Sequence, residues 1–309
     1  MPSVIQVRNL TKKYGSNIAV NDISFEVNKG EVFGLLGENG AGKTTTLEMI
    51  EGLRKPTDGS IQILGHDAKE KLTEIKERIG VQLQSSAYYS NLTLTEILDL
   101  FATFYPKHLE TLDLLRMVGL EEKKDAYIGS LSGGQKQRFS IVASLINDPE
   151  IVFLDEPTTG LDPLARRRLW DNITAIKTQG KTIILTTHYM EEAEILCDHI
   201  AIMDHGKIIA SDETHKLIEK AREPLKITFI DNQLTEDDKS DLKKLGNFKD
   251  IAGKDYYFEM NFKTQPELNK ALRIIQARDP ESLTVTRASL EDVFIELTGR
   301  RIGDEEDEA

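Results

Sequence analysis

The stretch GENGAGKT, residues 37–44, satisfies the pattern G-x-x-x-x-G-K-[ST] at every fixed position, with Gly37, Gly42, Lys43 and Thr44 in place. A polyphosphate crowds anionic oxygens together, and backbone N–H groups can surround them only where no side chain blocks the approach. Gly37, Gly40 and Gly42 permit the tight, partly left-handed backbone this demands, and Glu38, Asn39 and Ala41 complete the loop. The apolar run 32–36 reads as a buried strand before the loop, and residues 44–50 read as a helix after it. The positive end of that helix then faces the phosphates. Lys43 adds a full charge near the β- and γ-phosphates, and the Thr44 hydroxyl is placed for Mg²⁺. An α/β fold with a nucleotide in this loop is the expectation.

The chain has 309 residues, room for one large domain and a small one. Apolar residues make up 39%, charged residues 29%, and the formal net charge is -13. Such an acidic chain argues against non-specific nucleic-acid binding, which relies on a positive surface. Cys197 is the only cysteine, so a disulfide within the chain is excluded; it reads as a small core residue in a helix, in a reducing cytosol. The opening MPSVIQVRNL lacks the apolar region of a secretory signal, and no apolar run reaches bilayer-spanning length. A soluble chain is expected, with any membrane role coming through a partner.

Residues 4–8, 19–27 and 60–64 alternate or cluster apolar side chains between turn residues and predict an N-terminal sheet. Tyr14, just before a turn in KKYG, reads equally as a platform for an adenine ring or as a strand-end aromatic covering the sheet. A helical block at about 85–147 interrupts the α/β pattern, which resumes at Ile151 and therefore looks inserted. Strand-like 151–154 and 182–186 flank a helix at 163–178, a βαβ unit of a parallel sheet. A helix at 190–197 and a hairpin, 199–204 with 207–210, close this domain at about residue 222. The boundary reads at Glu223–Pro224. Residues 225–299 then follow the order β-α-β-β-α-β and end in a helix capped by Ser289, which predicts a small split-βαβ domain. Leu290, Val293, Phe294 and Leu297 form one stripe of that helix, fitted to cover the small domain's own sheet or to pack on the catalytic domain or a second copy. Residues 300–309 read as a solvated, disordered acidic tail.

Two further stretches carry chemistry. In EIVFLDEPTTGLD, residues 150–162, a buried strand ends in Asp155, a carboxylate beside the phosphate loop that can hold Mg²⁺ through water. Glu156 follows on the γ-phosphate side, fitted to polarise a water for in-line attack. In LSGGQ, residues 131–135, small residues precede a helix expected over 135–146, which makes a second anion site with no lysine or acid pair of its own.

GENGAGKT, LSGGQ, LDEP, TGLD and TTH together resemble, in order and spacing, the ATP-binding-cassette (ABC) ATPases, over residues 4 to about 221. The resemblance implies a P-loop NTPase (RecA-like) α/β core with an N-terminal antiparallel β part and an inserted helical subdomain, plus the small α+β C-terminal domain. It implies ATP with Mg²⁺ as ligands, Tyr14 as the adenine-stacking aromatic, and residues 37–45, Thr45 included, around phosphate and metal. Gln84 matches the glutamine that senses the γ-phosphate side, contributes to the metal site and links to a membrane partner, in preference to nearby Gln82. Asp155 matches the metal residue, Glu156 the residue that handles the water, and His188 the γ-phosphate contact. Ser132, Gly133, Gly134 and Asp162 match residues that act on the nucleotide of the other subunit. Two copies packed head to tail would complete each other's pockets, which accounts for the surplus anion site. Glu38 is then expected to point away from the phosphates.

A single phosphate loop, a single LSGGQ and no long heptad insert favour the ATPase subunit of a transporter over tandem translation-type or chromosome-maintenance cassettes. The permease would be a separate chain, with this one peripheral at the inner face of the cell membrane. Of the aromatics after Gln84, Tyr88 and Tyr89 alone are expected to reach solvent, where a permease helix would dock. SLEDVFIELTGR, residues 289–300, resembles the closing segment of ABC-2-type exporter ATPases, including the drug- and antibiotic-resistance type. Export of a drug, antibiotic or lipid-like compound is the favoured reading, and import or another cargo the alternative.

Overall fold

Alternating apolar positions in the first sixty-odd residues build an antiparallel sheet. In this computed structural model, which describes residues 2–83, 88–251 and 256–299, β1 (Ser3–Tyr14) lies between β2 (Asn17–Asn28) and a later strand, β4. The register sets Val7 opposite Phe25 and Ile61, so one face is apolar and buried. β3 (Val32–Leu36) belongs to the next sheet, while β4 (Asp58–Ile63) and the short β5 (His66–Asp67) complete the first.

The second sheet contains β3 together with β6 (Ile79–Gln82), β7 (Ile151–Asp155), β8 (Thr182–Thr187), β9 (His199–Asp204) and β10 (Lys207–Glu213), in the order β10-β9-β3-β8-β7-β6. The pairs β9–β3, β3–β8, β8–β7 and β7–β6 are parallel. Every residue of β3, β7 and β8 is buried, as a parallel sheet covered on both faces requires of its central strands. Two positive-φ residues, His205 and Gly206, join β9 to β10 in a tight hairpin turn.

The helices of this part are α1 (Lys43–Ile50), α2 (Leu72–Lys76), α3 (Leu94–Ala102), α4 (Thr111–Met117), α5 (Gly133–Ala143), α6 (Pro163–Thr178) and α7 (Met190–Leu196). α3, α4 and α5 lie between β6 and β7 in the chain, which is the expected insertion. The Tyr88 ring meets Phe139 edge-on at 5.3 Å and lies 6.2 Å from Phe101, so Tyr88 is half-buried. Tyr89 is 72% exposed and so, against expectation, is Phe104 at 69%. The reason is local: α3 ends at Ala102, so Phe104 falls beyond the helix and off its apolar face. Cys197 is buried as expected, although it follows α7 rather than lying in it; burial pushes its thiol well above the usual range.

The first compact unit runs through Asp212 and a second begins at Glu213, ahead of the composition shift at Glu223–Pro224. α8 (Thr214–Glu219) belongs to the second unit because it packs on the last helix, α11 (Leu290–Thr298). Between them run β11 (Leu225–Ile230), α9 (Glu236–Lys243), β12 (Asn247–Asp250), β13 (Tyr257–Phe262), α10 (Gln265–Gln276) and β14 (Ser282–Arg287). This is the anticipated β-α-β-β-α-β order, folded as an antiparallel sheet β12-β13-β11-β14. Ile227, Phe229, Phe258, Met260 and Phe262 pack against Leu242, Leu268 and Ile275 of α9 and α10. Ser289 caps α11 through Asp292 N–H, and Lys226 of β11 pairs with the Asp292 carboxylate at 2.7 Å. Of the α11 stripe, Leu290, Val293 and Phe294 are buried and Leu297 is exposed. The residues 300–309 read as a tail lie outside the described residues.

Candidate nucleotide site

β3 delivers the phosphate loop, and each glycine there answers a different constraint. A Cβ on Gly37 would stand 2.3 Å from the Met203 carbonyl oxygen; one on Gly42 would stand 2.5 Å from that of Ala19. Gly40 and Gly42 also hold left-handed backbone, at φ 81° and 99°. The Ala41 carbonyl accepts a hydrogen bond from Gly206 N–H at 3.1 Å, while Asn39 is exposed and Thr45 half-buried.

Lys43 opens α1 and is nearly buried. Its ammonium donates to the carbonyls of Gly37 (2.9 Å) and Glu38 (3.0 Å) and stands 3.3 Å from Glu156 Oε1. Burial pulls its pKa down, opposed first by the Glu156 charge and then by Asp155 and Glu38. Glu38 is half-buried, and its charge is the smallest of those acting on Lys43.

Sheet order explains what joins this lysine. β8 lies between β3 and β7, so the carboxyl ends of all three strands surround the loop. Asp155 is the register partner of Thr186 on β8. Its Oδ1 accepts from the Thr186 hydroxyl at 2.5 Å and from the Thr44 hydroxyl at 3.2 Å. Burial raises the Asp155 pKa against those two hydroxyls. Thr44 and Asp155 thus bring two hard oxygen donors together at the loop, a set suited to Mg²⁺ that keeps its other positions for phosphate and water. Among the described residues no group of three or more His, Cys, Asp or Glu could hold an ion.

Glu156 has φ 45°, left-handed backbone that is unusual for a side chain of its size. Its N–H donates to Thr186 Oγ1 at 2.9 Å, which turns the carboxylate toward the loop. There Oε2 accepts from the Thr159 hydroxyl at 3.1 Å and lies 3.4 Å from His188 Nδ1. The His188 imidazole, followed by the Lys43 charge, holds the carboxyl down at about 2 against the effect of burial.

Tyr14 is the last residue of β1 and 41% exposed, with Lys12 Nζ 5.1 Å and the Arg54 guanidinium 5.5 Å from its ring centroid. The ring stands at the strand end, exposed, with a cation on each of two neighbouring side chains. Gln84 lies outside the described residues. Gln82 ends β6, is buried, and donates its amide to the Leu83 carbonyl at 2.6 Å.

The remaining expected residues gather elsewhere. α5 begins at Gly133, two residues earlier than its sequence suggests, with Ser132 as N-cap in a reciprocal box with Gln135. Asp162 caps α6 by accepting from the N–H groups of Leu164 (3.0 Å) and Ala165 (2.9 Å). A Cβ on Gly134 would stand 3.2 Å from Ala165 Cβ, so the two helix starts are close neighbours. Ser132 and Asp162 are both exposed. Lys43, Thr44, Asp155, Glu156 and His188 converge; Ser132–Gly134 and Asp162 form a second, outward-facing group. Thr186 and Thr159 were missed: Thr186 lies within the TTH motif, but its contact with Asp155 depends on strand order.

A family model described as ABC transporter matches residues 20–159. The Nod factor export ATP-binding protein I of Burkholderia lata is 38% identical over 307 residues, 97% of this chain and 98% of that one. That of Cupriavidus metallidurans is 35% identical over 309 residues, 98% of this chain and all of that one. Among solved structures, an ATP-binding subunit of an ABC transporter superposes with TM-score 0.63 at 31% identity, covering 70% of this chain and 92% of that one. The ATP-binding cassette MJ0796, a dimer in a post-hydrolysis state bound to ADP and Pi, gives TM-score 0.62 at 28% identity over 68% of this chain and 98% of that one. Similarity along nearly the whole chain, with the phosphate loop and its acids assembled as described, identifies this protein as an ATPase subunit of the ABC transporter family.

Proposed function

We propose that the chain binds ATP with Mg²⁺ at the Gly37–Thr45 loop, hydrolyses it in a head-to-tail pair of copies, and thereby drives export through a separate permease. The observation that carries the reading is the meeting of Lys43, Thr44, Asp155, Glu156 and His188 at the carboxyl ends of three parallel strands. Lys43 would turn from Glu156 to the β- and γ-phosphates. Glu156, its Oε2 still held by the Thr159 hydroxyl, would then orient a water and take its proton, while His188 contacts the γ-phosphate. Thr44 and Asp155 would hold Mg²⁺, which would neutralise phosphate charge, and the resemblance adds Gln84 to that set. Tyr14 would stack on the adenine. Ser132, Gly133 and Asp162, exposed on their helix starts, and the half-buried Gly134 would act on the nucleotide of the other copy.

No helix among the described residues is long and apolar enough to cross a membrane, so attachment at the inner membrane face would come through the permease. Exposed Tyr89 and Phe104 supply an apolar contact for it. Export is supported by the name shared by the full-length relatives. A drug, antibiotic or lipid-like cargo rests on the resemblance of residues 289–300 to ABC-2-type exporter ATPases. Glu156→Gln tests the chemistry. It should bind ATP yet turn over roughly 10²–10⁴-fold more slowly, since the site persists without its proton acceptor. Turnover at the wild-type rate would overturn the role given to Glu156.

A further inference from the structure

Glu192 is a fully buried carboxylate that nothing in the reaction just described uses. It lies on α7, and the indole N–H of Trp170, itself buried on α6, donates to its Oε1 at 3.0 Å. Burial pushes the carboxyl up. The hydroxyls of Thr187 and Thr158, the Trp170 indole and the Arg166 charge favour its charged form. Thr158 Oγ1 and Glu192 Oε2 are both buried and neither closes a hydrogen bond of normal geometry, so that contact is a close approach rather than a bond. A carboxylate without water is costly unless surrounding dipoles and charges hold it in place.

What distinguishes Glu192 is the set of segments it touches. Thr158 is two residues beyond Glu156, and its neighbour Thr159 donates to the Glu156 carboxylate. Thr187 directly precedes His188, and its hydroxyl accepts the N–H of Tyr189 at 2.9 Å, which fixes the backbone on either side of His188. Arg166 and Trp170 belong to α6, the helix capped by Asp162. Arg166 also lays its guanidinium over the Tyr189 ring at 4.1 Å, and that ring meets the His188 imidazole at 4.1 Å.

We propose that Glu192 is a positioning residue for hydrolysis. Through Thr158, Thr187 and Trp170 it braces the Glu156 segment, the His188 segment and the helix opened by Asp162 against one another. The proposal rests on the ATPase reading above. It adds that a group outside the nucleotide site sets the reacting geometry, and that Glu192 couples the Asp162 end of α6 to His188 alongside the Arg166–Tyr189 contact. A displacement of about 1 Å at reacting groups can cost about 10²-fold in rate.

The test is steady-state ATP hydrolysis by the full chain, with ATP affinity from calorimetry and melting followed by circular dichroism. Glu192→Gln keeps the size but substitutes an N–H donor where the threonine hydroxyls approach. It should lose about 10²-fold in kcat while Kd for ATP and KM move by less than about 3-fold. Trp170→Phe removes the N–H donor together with part of the buried ring, so its melting is read alongside its kcat, and it covers the case in which Glu192→Gln fails to fold. It should shift kcat in the same direction, and the double variant should lose less than the product of the two single losses. An unchanged kcat in both folded variants overturns the proposal. So does a loss that appears equally in Kd, KM and melting, since that is general damage. If the wild-type chain neither binds nor hydrolyses ATP, the ATPase reading itself falls, and the two failures are thereby told apart.

Discussion

Lys43 Nζ and Glu156 Oε1 stand 3.3 Å apart with both side chains nearly buried. The same ammonium is wrapped by the Gly37 and Glu38 carbonyls of its own loop. Three acceptors therefore hold the lysine that a polyphosphate needs. On the proposed function an incoming nucleotide would have to supply better ones, and would thereby draw Lys43 away from the acid proposed to handle the water. The pair would then act as a latch between nucleotide binding and that carboxylate.

Lys43→Ala should accordingly fail at binding. Charge-assisted hydrogen bonds of about 1.5–3 kcal/mol each are lost, which lowers ATP affinity by about tenfold or more. Titration calorimetry reads this directly, and an unchanged affinity would remove Lys43 from the phosphate contacts.

Glu51 yields a pH prediction. It follows α1, is 2% exposed, and burial, then the charges of Asp155 and Glu48, push its carboxyl from 4.5 to about 8. The unfolded chain gives up this proton near 4.5 and the folded chain only near 8, so between those values the unfolded state binds fewer protons. Its stabilising share is full below about 4.5 and is lost as pH rises toward 8. Glu51→Gln removes that slope. The variant should match wild type near pH 4.5 and exceed it by roughly 3–5 kcal/mol near pH 8. Urea unfolding without nucleotide or metal, followed through the only tryptophan, Trp170, measures it. A gap between the two proteins that does not widen with pH would mean that Glu51 ionises normally.

Glu51 also marks where the sequence stops being legible. The buried runs of β3, β7 and β8 and the glycine spacing of the loop are local signals, and strands, loop and the Asp155–Glu156 pair could be placed from them. The small domain's order could be read for the same reason. The partners of Asp155, by contrast, depend on β8 lying between β3 and β7, which no short window encodes. The burial of acids such as Glu51 and Glu192 likewise comes from distant segments that cover them and leaves no local signal. The positive φ of Glu156 leaves no mark in composition, and the break at Glu213 follows from α8 packing on α11, two elements far apart in the chain.

Phe294 is 1% exposed on α11. From sequence its stripe is expected on the small domain's own sheet, on the catalytic domain or on a second copy; α11 packs on α8, which the sequence places in the first domain and which belongs to the second compact unit. Phe294→Asp should therefore destabilise the second unit by at least the roughly 3–5 kcal/mol typical of emptying a Phe site. ATP binding should persist, since every nucleotide motif precedes that unit. Circular dichroism melts with parallel ATP titrations check both. Unchanged melting together with a weakened ATP-dependent dimer would instead assign the stripe to contact between copies.

Ser132→Arg tests the head-to-tail arrangement. Ser132 Oγ is exposed and caps α5, so the substitution removes a cap worth about 1 kcal/mol and places a large cation at that helix start. The variant chain keeps its own loop and should bind ATP normally, yet it cannot complete the pocket of a second copy. Lys43→Ala chains have the opposite defect. Each variant alone should be inactive. When the two are mixed, the loop of the Ser132→Arg chain and the LSGGQ of the Lys43→Ala chain form one intact composite site. Hydrolysis should then return, in proportion to the product of the two concentrations at low concentration. A melting check on Ser132→Arg separates loss of the cap from loss of the cross-copy contact. Wild-type hydrolysis by Ser132→Arg alone, or no recovery in a mixture of two folded variants that still form ATP-dependent pairs, would mean that Ser132 does not act across copies.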